Sequence, residues 1–354
     1  MSKSDSLLAA VAEGKRMSRS QASELVSSVS IHDLGRAAYA RRDSLYSNRA
    51  FFVYNQHLNF TNICVNACRF CAFSKRPGEE EAYTLSIEQV QEAVYSRIDE
   101  PVDEIHVVGG LNPELDYDYY LALLQAVKEL RPEAAIKAFT AVEIAFLADK
   151  YDFSYERILN DFTRAGLSAL PGGGAEVFSP ELRKRLCPEK ISGRKWLEIH
   201  EAAHRLGIPT NCTLLFGHIE AWEDRLDHLF ALRDLQDRTS GFMCFIPLAY
   251  QPGFNELNAR GPDGVDFMKM TAMARIVLDN IPHIKAYWAF CGIKAAQLGL
   301  CFGADDFDGT IVEERIGHAA GADTPSGLTI SQLKESIRAA GFEPVQRDSM
   351  FRTC

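Results

Sequence analysis

The chain has no block of Lys or Arg. Its 38 basic and 48 acidic residues are interleaved and leave a formal charge of −10. Nucleic acid and anionic membrane both call for a concentrated basic face, so neither is expected as a partner. No apolar run reaches the roughly 20 residues that span a bilayer. Near the N-terminus only Leu7–Ala12 is apolar, and Glu13, Gly14, Lys15 and Arg16 follow at once. That stretch is short for a signal-peptide core and has no clear cleavage site, so a cytoplasmic location is expected. Low-complexity tracts are missing, and so is a disulfide framework. Of nine cysteines, Cys187, Cys212, Cys244, Cys291, Cys301 and Cys354 stand singly, mostly in apolar segments, and the odd total fits pairing poorly. Such thiols behave as small hydrophobes in a reducing compartment. A chain of 354 residues buries a sizeable core without staples.

What is present is a recurring unit of strand, loop and helix. Residues 1–50 read as helices, with Ser18 or Ser20 as a cap and helical spacing from Ile31 to Tyr46. Strands are expected at Phe51–Gln56, Glu104–Val108, Ala135–Thr140, Ser168–Leu170, Thr210–Phe216, Phe242–Leu248, Ile284–Phe290 and Ala304–Phe307. Several are continuous apolar runs, as expected of parallel strands covered on both faces. Between them, Ser86-Ile87-Glu88-Gln89 forms a capping box. Ser192 opens a helix through Trp196, Ile199, Ala203 and Leu206, which Gly207 and Pro209 close. Most strand starts fall roughly 30 to 40 residues apart, the pitch of a βα unit.

The expected class is therefore α/β: a (β/α)8 TIM-type barrel over residues 51–310, with room for irregularity in the ring. A helical segment, 1–50, precedes it. A helical extension, 311–354, packs on it, with a helix at Leu328–Ala340 and an extended end. Such barrels place their chemistry at the C-terminal ends of the strands. The most unusual local sequences fall there: Asn59–Arg76, Gly109-Gly110-Leu111-Asn112-Pro113, Glu143, Gly172-Gly173-Gly174 and Gly217-His218.

Cys64, Cys68 and Cys71 lie within eight residues, so one loop can wrap one inorganic cluster. Three thiolates can hold three irons of a [4Fe–4S] cluster and leave the fourth iron open. A structural zinc site is the competing use, but it normally takes four protein ligands. The nearest fourth candidate, His57, is seven residues upstream in or at the end of a strand. The intervening Val65, Asn66, Ala67, Arg69 and Phe70 are not the Gly- and Lys-rich linkers usual in zinc knuckles. The cluster is the preferred reading.

The pattern C-x3-C-x-Φ-C, with Phe70 as the aromatic before the last cysteine, resembles the signature of the radical S-adenosylmethionine (radical SAM) superfamily. The resemblance implies that the open iron is chelated by the methionyl group of S-adenosylmethionine. It implies that Phe70 packs on adenine and that Val107-Val108-Gly109-Gly110 clamps the methionyl amine, since glycines permit close backbone approach. Leu111 departs from the polar residue many members carry there.

Longer segments narrow the match. They are Asn59–Cys64, Gly109–Pro113, Ile136–Glu143, Leu170–Glu176, Phe216–Glu220, Ile284–Trp288, Phe302–Thr310 and Val312–Glu314. Together they resemble the aminofutalosine synthase family (MqnE). The family's reaction adds the 5′-deoxyadenosyl radical to 3-[(1-carboxyvinyl)oxy]benzoate. The aryl group then migrates and carboxylate leaves as bicarbonate, giving 6-amino-6-deoxyfutalosine and methionine on the way to menaquinone. S-Adenosylmethionine is consumed as a co-substrate. The implied partners are this small aromatic carboxylate and a one-electron reductant such as flavodoxin or ferredoxin. The dehypoxanthine futalosine cyclase of the same pathway is the alternative. Lys137–Glu143 and Lys285–Trp288 read like the synthase, whereas Gln251-Pro252-Gly253 within Tyr250–Asn255 reads more like the cyclase.

On this basis Gly172, Gly173 and Glu176 are expected to floor the adenosyl site. Glu176 and Glu143 compete to accept hydrogen bonds from ribose hydroxyls, and either equally suits a rim ion pair. The substrate's carboxylates call for cations or donors. Arg69, His218 and Lys285 are candidates, with His57 and Tyr250 also near the strand ends. Outside this set, His200-Glu201-Ala202-Ala203-His204 matches a zinc-hydrolase pattern. The third histidine of that class would fall at Thr210, and the helix is expected to bury Trp196, Ile199, Ala203 and Leu206, so His200 and His204 are expected to flank a packed stripe.

Overall fold

The computed structural model describes residues 3–313 and 315–353; Glu314 and Cys354 lie outside the described residues. The chain begins with three helices, α1 Lys3–Ala12, α2 Arg19–Ser28 and α3 Ile31–Tyr46. Ser18 caps α2: its hydroxyl accepts the Gln21 N–H, and the Gln21 side chain accepts the Ser18 N–H in return. The same reciprocal box, Ser86 with Gln89, starts the helix Ile87–Tyr95. These caps satisfy first-turn N–H groups that have no partner inside the helix.

Among the described residues ten strands follow, all paired in parallel. They are β1 Arg49–Val53, β2 Asn55–Leu58, β3 Glu104–Val107, β4 Ala135–Ala138, β5 Leu167–Ala169, β6 Thr210–Phe216, β7 Phe242–Ala249, β8 His283–Ile284, β9 Asp306–Gly309 and β10 Glu343–Gln346. Ladders join β2-β3-β4-β5, β6-β7-β8 and β10-β1-β9. Single bridges, Leu170 to Thr210 and Lys285 to Asp306, join these pieces, and β9 against β1 closes the ring. The expected barrel is thus present and irregular.

Three strand expectations change. The first strand is broken at Tyr54, whose carbonyl accepts the N–H groups of Asp103 and Glu104, so β1 and β2 pair with different neighbours. The seventh is cut to His283–Ile284, and Trp288–Cys291 turns helical. Trp288 is buried there and its indole donates to the Gly309 carbonyl at 2.9 Å, a role that a strand continuation would not allow. An apolar aromatic run of this length does not tell strand from buried helix. The eighth strand starts two residues later than expected. The C-terminal segment also does more than pack outside. After the helix Ile330–Ala339, β10 pairs with β1 in register from Arg49–Glu343 to Phe52–Gln346, and the chain then runs under the barrel.

Two structural absences accompany this. No helix of the described residues is long and apolar enough to cross a membrane. The eight described cysteines are all free thiols.

Candidate active site

Strand register decides what fills the barrel. Side chains two apart on a strand share a face. The register Asn55–Glu104 and, one layer higher, His57–His106–Lys137 therefore aligns polar side chains toward the lumen. Asn211 and Thr213 of β6 join them, with Lys285 after β8 and Asp308 of β9. Packed barrels normally fill these layers with branched apolar side chains. Here polar groups line a cavity of about 310 Å³ that continues up to the cysteine loop.

That loop is pinned on two sides. The Val65 N–H donates to the Leu111 carbonyl at 3.1 Å, and the Arg69 N–H to the Leu186 carbonyl at 2.9 Å. Arg76 draws the turn together by donating to the carbonyls of Cys64 (2.9 Å) and Val65 (2.7 Å). Asn59, Thr61 and Asn62 are loop-builders, bonding the backbones of Val108, Tyr83 and Glu81. Cys64, Cys68, Cys71 and Phe70 all line the cavity.

Gly109 and Gly110 form the opposing shelf, and packing alone already demands glycine there. A Cβ on Gly110 would stand 2.2 Å from the Ile63 carbonyl oxygen, and one on Gly109 would stand 2.7 Å from the Phe60 ring. A Cβ on Gly172 would stand 2.7 Å from the Cys212 Cα in the β6 backbone, while Gly174 has φ +83°. Gly173 is the roomier of the three, since a Cβ added there would meet the Thr140 methyl alone among described side chains and backbone, at 3.0 Å. All five glycines border the cavity.

Glu143 spans two strand ends. One carboxylate oxygen accepts the Thr140 N–H at 2.6 Å as a helix cap, and the other accepts the Gly109 N–H at 3.3 Å. Burial pushes its carboxyl up to about 7, against these hydrogen bonds. Glu176, in a left-handed conformation at φ 48°, accepts a hydrogen bond from Lys190 at 2.6 Å. Lys190 also stands 5.3 Å from the Phe70 ring centre.

Deeper in the lumen, Lys137 donates to Glu104 at 2.6 Å and Lys285 to Asp308 at 2.9 Å. Arg347 pairs with Asp306, and the Ser349 hydroxyl donates to Glu104, so the C-terminal segment supplies the floor. Burial raises the Glu104 carboxyl, but Lys137 and Lys285 outweigh it and hold it well below the usual carboxylate range. For Lys285, burial acts downward and the aspartates win, so its ammonium is held above its ordinary value. The His57 and His106 rings stack 4.6 Å apart.

Of the expected substrate contacts, His57, Lys285 and Tyr250 line the cavity. Arg69 and His218 are not among its lining residues. The Arg69 side chain is exposed. His218 folds back on its own turn: Nε2 donates to the Leu215 carbonyl at 3.0 Å, and Nδ1 lies 2.8 Å from Glu220. Gln251 ties the wall, donating to the carbonyls of Ala249 (2.9 Å) and Phe290 (2.8 Å). Sequence reasoning passed over Asn55, Glu104, His106, Asn211 and Thr213. Their signal was available, because polar residues spaced two apart in strands otherwise buried on both faces must point somewhere wet.

His200 and His204 are packed as expected, beside buried Trp196, Ile199 and Ala203, whereas Leu206, at the helix C-cap, is exposed and not buried. Both rings bond the Thr210 hydroxyl at 2.8 Å, and His204 also bonds Thr239 at 2.7 Å. Glu201 pairs with Arg205 and Arg238. Among the described residues, no three His, Cys, Asp or Glu side chains are placed to hold a metal ion. An iron–sulfur cluster is a different case, because its thiolates bind separate irons and stand further apart than the ligands of a single ion. Three thiols on one cavity wall, facing a glycine shelf, suit such a cluster.

A model of the radical SAM superfamily matches residues 58–232, and one of the CofH/MqnC C-terminal region matches residues 239–353. The chain belongs to the radical SAM superfamily. Among individual proteins, it is 44% identical to the aminodeoxyfutalosine synthase of Thermus thermophilus, over 97% of this chain and 93% of that one. The Streptomyces coelicolor protein of the same name is 40% identical over 96% of this chain and 91% of its own length. The 5-amino-6-(D-ribitylamino)uracil–L-tyrosine 4-hydroxyphenyl transferase of Methanopyrus kandleri is 39% identical over 89% of this chain and 87% of its own. In fold, the chain is similar to methylornithine synthase, with a TM-score of 0.74 at 20% identity over 96% of this chain and 97% of that one.

Proposed function

We propose that this chain is an aminodeoxyfutalosine synthase, joining the adenosyl group of S-adenosylmethionine to 3-[(1-carboxyvinyl)oxy]benzoate. The observation that carries the reading is one continuous cavity with thiols at its mouth and charged groups at its floor. Near-full-length identity to the Thermus protein supports it. When bound, a [4Fe–4S] cluster and S-adenosylmethionine supply the one-electron cleavage that yields a 5′-deoxyadenosyl radical.

The chain's own residues do the rest. Cys64, Cys68 and Cys71 hold the cluster. Phe70, Gly109, Gly110, Glu143, Gly172, Gly173 and Glu176 shape the co-substrate site. His57, Tyr250 and Lys285 face the acceptor. Val108, Leu111, Val142, Leu215, Ile246, Leu248 and Phe290 line the walls between. Apolar walls exclude water and limit side reactions of a radical, while a fixed pocket sets its distance to the alkene. The free thiols fit a reducing cytoplasmic setting, and a flavodoxin- or ferredoxin-type protein is the inferred electron donor.

The test is an anaerobic assay of the reconstituted protein with dithionite and S-adenosylmethionine, read by mass spectrometry. The enolpyruvyl ether of 3-hydroxybenzoate should yield an adenosine-containing product. Dehypoxanthine futalosine, or L-tyrosine with 5-amino-6-(D-ribitylamino)uracil, should not be consumed. Turnover of either of these and not of the ether overturns the proposal.

A further inference from the structure

Buried polar groups ordinarily have hydrogen-bond partners, and much of the lumen obeys that rule. Thr213 donates its hydroxyl to the Gly172 carbonyl at 2.7 Å, and the Asn55 side-chain oxygen accepts the Ile311 N–H at 2.8 Å. Lys137 and Lys285 are engaged by Glu104 and Asp308. Asn211 breaks the rule. It lines the cavity and is 3% exposed, and its Oδ1 is sealed from solvent with no partner. Its amide makes no hydrogen bond among the described residues. With neither end held, the amide can turn about χ2 to present Nδ2 to the cavity. An unpaired buried amide costs stability, so its presence in a pocket calls for a ligand that pairs with it.

The place of Asn211 in the barrel says which ligand group that is. Lys137 of β4 registers with Ala169 of β5, and the carbonyl of the next residue, Leu170, accepts the Asn211 N–H at 3.0 Å. Asn211 therefore stands above the Lys137 layer. A Cβ on Gly172 would stand 2.9 Å from the Asn211 backbone carbon, so Asn211 also lies against the glycine turn proposed for the adenosyl group. The amide is thus at the junction of co-substrate and acceptor. In 3-[(1-carboxyvinyl)oxy]benzoate, the alkene that the adenosyl carbon attacks carries a carboxylate on its internal carbon. The other carboxylate is on the ring. The one on the alkene must come closer to the adenosyl group, and an ionised carboxylate accepts hydrogen bonds without donating any.

We propose that Asn211 donates from Nδ2 to the carboxylate on the alkene, and is a specificity-determining residue that orients the acceptor toward the adenosyl group. The inference rests on the proposed function and adds the residue that reads one of the two carboxylates. The contact is a hydrogen bond: no proton is transferred and no covalent bond to Asn211 forms. A donor aimed at an ionised oxygen makes one of the stronger hydrogen bonds. Orientation matters here, because reacting carbons must be held about 3–3.5 Å apart. An acceptor with the same ring and no carboxylate on its alkene leaves the amide unpaired.

The experiment is anaerobic calorimetry on the cluster-loaded, unreduced protein. S-Adenosylmethionine is titrated first. Either the ether or 3-(vinyloxy)benzoate, which lacks the carboxylate on the alkene, is titrated second. Asn211→Ala leaves space at the site and Asn211→Leu fills it. Both should weaken the ether about tenfold or more, the worth of a hydrogen bond to a charged group. Both should leave the affinities for 3-(vinyloxy)benzoate and S-adenosylmethionine unchanged. Ether binding that survives intact in either variant overturns the inference and leaves the proposed function standing. Equal loss of the two acceptors in both variants overturns it too, since the amide then reads something they share. A matching loss of S-adenosylmethionine in both variants overturns it by placing Asn211 in the adenosyl site. Failure of the wild type to bind the ether at all sinks both.

Discussion

Gly110→Ala separates damage to the fold from damage to the site. The new Cβ would lie 2.2 Å from the Ile63 carbonyl oxygen, 2.7 Å from its carbon and 3.0 Å from the Cys64 Cβ. A relaxed carbon–oxygen contact is about 3.3 Å, so one wall must retreat by roughly 1 Å. The obstacle is backbone, and it belongs to the loop that presents Cys64. Overpacking of this kind costs about 1–3 kcal/mol. In a chain of this size that lowers Tm by about 5 °C or less. The effect on chemistry is larger, because a misplacement of about 1 Å at a reacting centre is worth roughly 100-fold in rate. Methionine and adenosyl product would be quantified after anaerobic reconstitution, with bound iron and Tm measured alongside. Gly264→Ala is the control, since nothing lies within 4 Å of its added methyl. If Gly110→Ala turns over as fast as Gly264→Ala, the close approach of shelf and cysteine loop does not position the cluster, and the reasoning fails.

Single replacement of Cys64, Cys68 or Cys71 by Ala should abolish turnover while circular dichroism stays native, whereas Cys212→Ala and Cys244→Ala should keep the cluster's visible spectrum; full activity in Cys68→Ala would refute the ligand assignment. Thr210→Val removes the hydroxyl shared by His200 and His204 and should cost about 2 kcal/mol by denaturant melt. Its turnover per loaded cluster should stay unchanged and be insensitive to chelation of zinc; an effect on kcat with no loss of stability would revive a catalytic role for those histidines. Glu220 accepts the Gly217 N–H at 2.6 Å and pairs with Arg225 at 2.7 Å, and with His218 these partners bring its carboxyl down from 4.5 to about 2 despite burial. A depressed carboxyl stabilises above its unfolded value and loses that contribution as pH falls from about 4.5 to about 2. Glu220→Gln should therefore melt lower at pH 7 and show a shallower acid limb across that window, and identical acid limbs would refute the account.

Local rules carried much of the architecture. Ser18, Ser86 and Ser192 cap the helices their sequences announce, because a hydroxyl three residues before a free N–H is a local matter. The strand pitch was legible for the same reason. Tyr287–Phe290 was not, since its helix depends on Trp288 reaching Gly309 across the barrel. The cysteine loop was legible as a motif, and the glycines after Val108 were legible as close contacts, though what they contact first is the loop itself. His218 misled because a histidine after a strand-end glycine looks the same whether it enters the site or folds onto its own turn. Glu220, two residues on, decides for the turn. The floor was hidden because Arg347 and Ser349 lie far along the chain from the strands they underpin, and no spacing rule connects them.

The pairing of β1 with β10 also sets the chain separation over which the barrel floor must close. Helix–strand neighbours along the chain close short loops, whereas the Arg49–Glu343 register joins segments separated by nearly the whole polypeptide. Contacts of such long range form late and slowly. Until β10 docks, Asp306 and Glu104 have no Arg347 or Ser349 against them and the lumen stays open to water from below. The cysteine loop relies on nearer partners, the shelf at Leu111 and the turn at Leu186. The cysteine loop is thus held by contacts of shorter chain separation, and the floor by contacts that span nearly the whole polypeptide.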